Sequence, residues 1–194
     1  MNKGLKLTDI LVTIVIAIAF GIVYIIWGSL YYIVKPIGLH ADQFLYGMWF
    51  IAAIIAYLVI RKPGVALLAE IAAASGEFIL GSPWGLTVLF YGVVQGLFAE
   101  AVFMIFRYKR YNLAVVVLAA SASCLGSIIM DFAYGEIVDL ATWNLALFLV
   151  ARFVGSILFA GLFAHYLVRV LEMTGVTNLV RPLSKNDFDA LDQK

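Results

Sequence analysis

The sequence predicts an all-α integral membrane protein, a six-transmembrane-helix bundle with both termini cytoplasmic, and three observations predict it. First, 64% of the 194 residues are hydrophobic, 13% are charged and the mean hydropathy is +1.03. Ordinary soluble domains are about 45–50% apolar and about 25% charged. A small soluble fold has too much surface per volume to hide that apolar excess. Second, the chain contains six apolar stretches near the roughly 20 residues that a bilayer crossing needs. Third, with both ends placed inside, every Lys and Arg except Lys35 and Arg152 falls on the inner side or the inner edge of a helix. That asymmetry sets orientation.

The elements follow in order. Helix 1 is expected over 8–34. Lys3 and Lys6 precede it and Ala17-Ile18-Ala19 imitates a cleavage site, but the apolar run continues to Ile33, so it reads as an uncleaved span. Helices 2 and 3 are expected over 44–60 and 64–80; both are short, which suggests little tilt or burial inside the bundle. Helices 4, 5 and 6 are expected over 85–106, 112–131 and 142–171. The breaks carry Pro36, Gly38, Pro63, Gly81 and Pro83, where helices should end. Residues 1–177 form the predicted bundle, and 178–194, with Asp187, Asp189 and Asp192, a short polar cytoplasmic tail. No internal repeat is visible, so inverted-repeat transporter folds gain no support.

The net charge of +1 implies no nucleic-acid partner. The single Cys124 cannot form an internal disulfide. No phosphate-binding glycine loop appears, and no metal-ligand cluster, since His40 and His165 fall on opposite sides of the predicted membrane. No nucleophile–histidine pair lies at one depth. The sequence therefore predicts a non-catalytic protein with no metal and no cofactor, so uphill transport would draw its energy from elsewhere.

Ionisable side chains within a membrane are costly and mark polar clusters. Five fall inside the predicted spans or at their rims: Glu70, Glu77, Glu100, Asp131 and Arg152, with the amide of Gln95 beside them. At a rise of about 1.5 Å per residue, Glu77 and Asp131 lie near the outer mouth. Gln95, Arg152 and Glu70 lie near the midplane and Glu100 deeper. Arg152 and Glu70 are expected to pair as a structural clasp. Glu77 and Asp131 then lack a basic partner and favour an organic cation. The alternative is that all of these acids only clasp helices or cap their ends.

Aromatic residues crowd the same half: Tyr24, Trp27 and Tyr31 on helix 1, Tyr46 and Trp49 on helix 2, then Trp84, Tyr134 and Trp143. They read either as an interfacial belt or as a cage for a flat cationic heterocycle. Small residues at four-residue spacing, as in Gly92/Gly96 and Ala122/Gly126, allow close helix packing. Ala17/Gly21, on a peripheral helix, is expected to dock another membrane protein.

Three stretches carry a resemblance: Tyr46-Gly47-Met48-Trp49-Phe50; Arg61-Lys62-Pro63-Gly64 with Glu70, Glu77 and Gly81-Ser82-Pro83; and Gly92-Val93-Val94-Gln95-Gly96 through Ala99-Glu100. Across helices 1–6 the chain resembles a YkoE-type S component of an energy-coupling factor (ECF) vitamin transporter, a type linked to thiamine and its hydroxymethylpyrimidine precursor. The resemblance implies a substrate-binding subunit in the bacterial plasma membrane, with its vitamin near the extracellular face. It implies a transmembrane coupling (T) subunit and two cytoplasmic ATPases as partners, and delivery by rotation of the S component. Docking through small residues of helix 1 is also implied, with Gly21 standing where an alanine is usual. The candidate substrate set is Glu77, Gln95, Trp84, Tyr91, Tyr46, Trp49, Glu70, Asp131 and Trp27. Glu77 is assigned to an amine or the cation, Gln95 to ring nitrogens and the aromatics to stacking. The rival reading is a stand-alone carrier or channel for a small organic cation using Glu70, Glu100 and Arg152. An intramembrane enzyme acting on lipid is weaker still, for want of a nucleophile and base.

Overall fold

The structure, a computed structural model, describes residues 4–180. Most of the predicted polar tail lies outside the described residues. The described chain is helical throughout. Helix α1 (Leu7–Val34) runs into a short 3₁₀ turn, Lys35–Ile37, and then a ten-residue 3₁₀ helix, Ala41–Phe50, that continues as α2 (Ile51–Ile60). Helices α3 (Val65–Ile79), α4 (Thr87–Ile105) and α5 (Leu113–Tyr134) follow. The last crossing is α6 (Thr142–Ser156), a π-helical stretch Ile157–Phe163, and α7 (Ala164–Met173).

Five segments are long and apolar enough to cross a membrane: Leu7–Ile37, Ala41–Ile60, Thr87–Ile105, Leu113–Tyr134 and Thr142–Met173. The 15 residues of α3 rise about 22 Å, less than a bilayer core. Successive crossings alternate in direction, so Lys6, Arg61, Lys62, Arg107, Lys109, Arg110 and Arg169 gather at one end, called here the basic end. Ion pairs tie that end together: Lys62 to Asp9 at 2.5 Å and Arg61 to Glu172 at 3.0 Å.

The core sits around the second crossing. Every residue of α2 is buried, whereas α1 is peripheral and presents Leu11, Val15, Ile18, Ile22 and Ile26 outward. The small residues of α1 face inward instead. Ala17 is 3% exposed, and a Cβ on Gly21 would stand 3.1 Å from the Gly76 Cα and 3.2 Å from the Ala73 carbonyl. Ala17 and Gly21 are therefore not an available docking face. They are used to bring α1 and α3 into backbone contact, which small side chains permit.

Two departures from regular α-helix occur where the second and last crossings meet. A Cβ on Gly155 would overlap the Phe44 carbonyl, and one on Gly47 would stand 2.6 Å from the Ser156 Cα. The 3₁₀ segment lies against this contact and the π stretch begins just after it. Runs of 3₁₀ helix beyond three or four residues are uncommon. Here the tight winding begins at Ala41 rather than near 44, and it brings Asp42 and Gln43 into the buried interior.

Two carboxyl groups complete the backbone bonding of helix starts. Glu100, on α4, accepts from the N–H groups of Gly64 (2.6 Å), Ala66 (3.1 Å) and Leu67 (3.2 Å) at the start of α3. Glu70, on α3, accepts from Ala53 N–H at 3.1 Å, while the Tyr24 hydroxyl accepts from Ala52 N–H at 3.2 Å. Opening N–H groups of a helix have no intrahelical partner, and an anionic acceptor there is favoured.

Candidate substrate site

A cavity of about 550 Å³ opens at the end opposite the basic end. All of the crossings contribute to its wall. α1 supplies Tyr24 and Tyr31, the 3₁₀ helix Asp42, Gln43, Tyr46 and Trp49, α3 Glu70 and Glu77, α4 Tyr91 and Gln95, α5 Asp131, and α6 Phe148 and Arg152. Trp84 enters from the turn before α4, and His40, Lys35 and Glu136 lie at the loop end.

One side of the wall is an ionic network. Arg152, 2% exposed, donates through Nε (2.9 Å) and Nη2 (2.5 Å) to Gln43 Oε1. Its Nη1 donates to Asp131 Oδ2 and to Ser127 Oγ. The guanidinium lies between two rings, 3.7 Å from the Tyr46 centroid and 4.4 Å from that of Phe148, a cation–π arrangement. Tyr91 donates to Asp131 Oδ1 at 2.7 Å. Gln43 Nε2 donates to Asp42 Oδ2 (2.6 Å) and to the Tyr31 hydroxyl (2.7 Å).

The expected Arg152–Glu70 clasp is therefore absent. Arg152 pairs with Asp131, and both Glu70 oxygens accept from the Tyr24 hydroxyl at 3.1 and 3.2 Å. The physical reason is the buried start of α2, whose N–H groups take Glu70 and leave Arg152 to α5. Asp131, expected to lack a base, has one.

The other side is aromatic. Trp49, Trp84 and Tyr31 meet edge to face, with centroids 5.4–6.0 Å apart. Trp49 Nε1 and Ser82 Oγ both donate to Glu77 Oε1, at 3.3 and 3.1 Å. Oε2 of Glu77 makes no hydrogen bond among the described residues and is not sealed from the cavity. Gln95 is 2% exposed. Its side-chain amide has no partner among the described residues and is not sealed from the cavity, though its backbone carbonyl accepts from Ser123. An amide left without a protein partner can bond a ligand's polar groups, and this one borders the cavity.

Of the predicted substrate residues, Glu70, Glu77, Gln95, Trp49, Trp84, Tyr46, Tyr91 and Asp131 line the cavity. Trp27 does not; its Nε1 donates to the Leu45 carbonyl at 2.8 Å and its ring packs edge-on against Phe159. Glu100, assigned in the rival reading to an ion path, is held by three backbone N–H groups at the start of α3. Asp42 and Gln43 were missed. They precede an apolar run and read as loop. Their signal, two adjacent polar residues one turn before Tyr46, gains meaning only once that loop is wound into a helix. Among the described residues no three His, Cys, Asp or Glu side chains form a metal-binding group.

Comparison with known proteins fits this geometry. A family model described as the permease component of an ABC-type cobalt transport system matches residues 8–126. A Bacillus subtilis (strain 168) protein described as the putative HMP/thiamine permease protein YkoE is 39% identical over 177 residues, covering 91% of this chain and 89% of that one. A crystal structure of an S-component of an ECF transporter superposes with a TM-score of 0.89 at 37% identity, covering 98% of this chain and 99% of that one. The chain belongs to the family of ECF-transporter S components. It is thus a multi-pass membrane protein of the bacterial plasma membrane and a substrate-binding subunit. In this S component the cavity combines an ionic wall tied together around Arg152 with a second wall whose amide and one carboxyl oxygen have no hydrogen-bond partner among the described residues.

Proposed function

We propose that this S component captures thiamine, or its hydroxymethylpyrimidine half, in the cavity between Trp49, Trp84, Glu77 and Gln95, and hands it to a coupling subunit driven by two cytoplasmic ATPases. The observation that carries the reading is the pair of unsatisfied groups beside an aromatic corner. An amide offers one acceptor and two donors. An aminopyrimidine presents the converse, an exocyclic amine next to a ring nitrogen, so Gln95 reads that ring. The Glu77 oxygen and the indole faces attract the cationic thiazolium. About 550 Å³ lies within the range of small-molecule sites, roughly 300–1,000 Å³. The relative described as an HMP/thiamine permease supports the choice of ligand.

The proposal includes six crossings, with the short α3 packed against α1, α2 and α4, and both termini in the cytoplasm. The basic end is then inside and the cavity opens outward.

Tryptophan fluorescence titrated with each ligand in detergent tests the assignment. Glu77→Gln should weaken thiamine binding about tenfold or more, the worth of one charge-assisted contact, and leave hydroxymethylpyrimidine nearly unchanged. Gln95→Ala should weaken both. Unchanged affinity for both ligands in both variants would remove these residues from the site.

A further inference from the structure

A second cavity, about 390 Å³, lies at the basic end among the end of α2, the start of α5 and α7. It takes no part in the capture described above. Its wall carries Arg61, Arg169, His165, Tyr111 and Asn112 together with apolar Leu58, Leu113 and Val168. Arg61 is ion-paired to Glu172 at 3.0 Å and lies 4.3 Å from the Tyr111 ring centroid. Arg169 makes no ion pair or hydrogen bond among the described residues. Among the described residues, the wall of this cavity is lined by two guanidinium groups, Arg61 and Arg169, and one carboxylate, Glu172.

His165 is the unusual member. Its Nδ1 is the one buried side-chain polar atom among the described residues without a hydrogen-bond partner. Its Nε2 has no partner either, but is not sealed off. An imidazole always carries at least one N–H. A buried unsatisfied N–H costs more than a bare lone pair on a weak acceptor, so the proton belongs on Nε2, toward the cavity. His165 and Arg169 are four residues apart on one helix, so they share a face and His165 lies about 6 Å deeper.

We propose that this cavity binds a phosphate ester anion. The phosphate sits between Arg169 and Arg61, and an oxygen one helical turn deeper accepts from His165 Nε2. Guanidinium groups match phosphate geometry. A donor one turn below the phosphate matches an ester carbonyl of a glycerophospholipid. Beside the cavity, Phe163 at the end of the π stretch and Tyr166, Val170 and Met173 of α7 leave an apolar stripe exposed, suited to acyl chains. A soluble phosphate would meet the two arginines and not the histidine.

The test uses the full chain purified in dodecyl maltoside, with retention of dioleoylphosphatidylglycerol read by native mass spectrometry and inorganic phosphate binding read by calorimetry. Arg169→Gln should lower phosphatidylglycerol retention about tenfold, the value of a charged hydrogen bond. His165→Phe should lower it for the lipid and leave inorganic phosphate unaffected. Loss of phosphate binding in Arg169→Gln, with no lipid retained by the unmodified chain, keeps the phosphate site and assigns it a soluble source. Absence of both ligands from the unmodified chain, or equal binding by both variants, overturns the proposal. All four tryptophans lie toward the opposite end of the bundle, so unchanged emission, with unchanged thiamine quenching, certifies that each variant is folded.

Discussion

Arg152 sends hydrogen bonds to Gln43, Ser127 and Asp131 while two aromatic rings cover its faces. Removing one partner of such a pair leaves a buried charge unmatched, which costs about 3–5 kcal/mol. Arg152→Met should therefore lower the melting temperature in detergent severely. The double variant Arg152→Met with Asp131→Leu should recover much of the loss, and a double variant as unstable as the single one would refute the pairing. Glu136, in the segment between α5 and α6, behaves differently. Burial first, and then the negative charge of Asp131, push its carboxyl above the usual carboxylate range. Relative to the unfolded chain, folding thus disfavours its ionised form. The stability it contributes is present below its unfolded pKa and lost as pH rises through the raised folded value. Glu136→Gln should raise the melting temperature above neutral pH and have no effect below about pH 4. The gain should be small, under about 0.5 kcal/mol, because the residue is solvent-exposed. A gain at low pH alone would reverse the assignment. Among single residues, Glu77 and Gln95 were legible as site candidates because polar side chains amid apolar runs are conspicuous. Gln43 was not, because its segment reads as loop.

At the scale of elements, the decisive contact is between the 3₁₀ helix and the junction of α6 with the π stretch. The Phe44 carbonyl occupies the space a side chain on Gly155 would need. Gly155→Ala should cost about 1–3 kcal/mol or more, since overpacking against backbone leaves nothing flexible to yield. It should also weaken ligand binding, because Asp42, Gln43, Tyr46 and Trp49 ride on the displaced segment. A variant with wild-type melting temperature and affinity would show that the segment can move aside. The positions of the apolar segments were readable from hydropathy. The 3₁₀ and π windings were not, because they arise from contact between segments more than 100 residues apart, and local pattern carries no record of that distance. The docking role read for Ala17 and Gly21 failed for the same reason. A small-residue stripe states that something approaches closely, and only the assembled bundle shows that α3 is what approaches.

For the whole molecule, the prediction concerns orientation. With the single native thiol of Cys124 buried, a cysteine introduced at Leu39, which is 75% exposed, should react with a membrane-impermeant maleimide in intact cells. One at Lys109 should react only after the cells are opened. The reverse pattern would invert the proposed topology and place the cavity inside.

Composition and hydropathy alone determined that this chain lives in a bilayer, as a bundle of apolar helices with a few embedded acids, because the water-to-lipid transfer preference adds residue by residue. The S-component resemblance was also legible, since its motifs are contiguous. What the tertiary structure decided is the partner of each buried charge. Glu70 and Glu100 serve backbone at helix starts, Asp131 neutralises Arg152, and Glu77 and Gln95 are left facing open space. Pairing in a low-dielectric interior depends on ångström-scale distances and on which groups remain unsatisfied after the backbone is served, and these exist only once the helices have crossed.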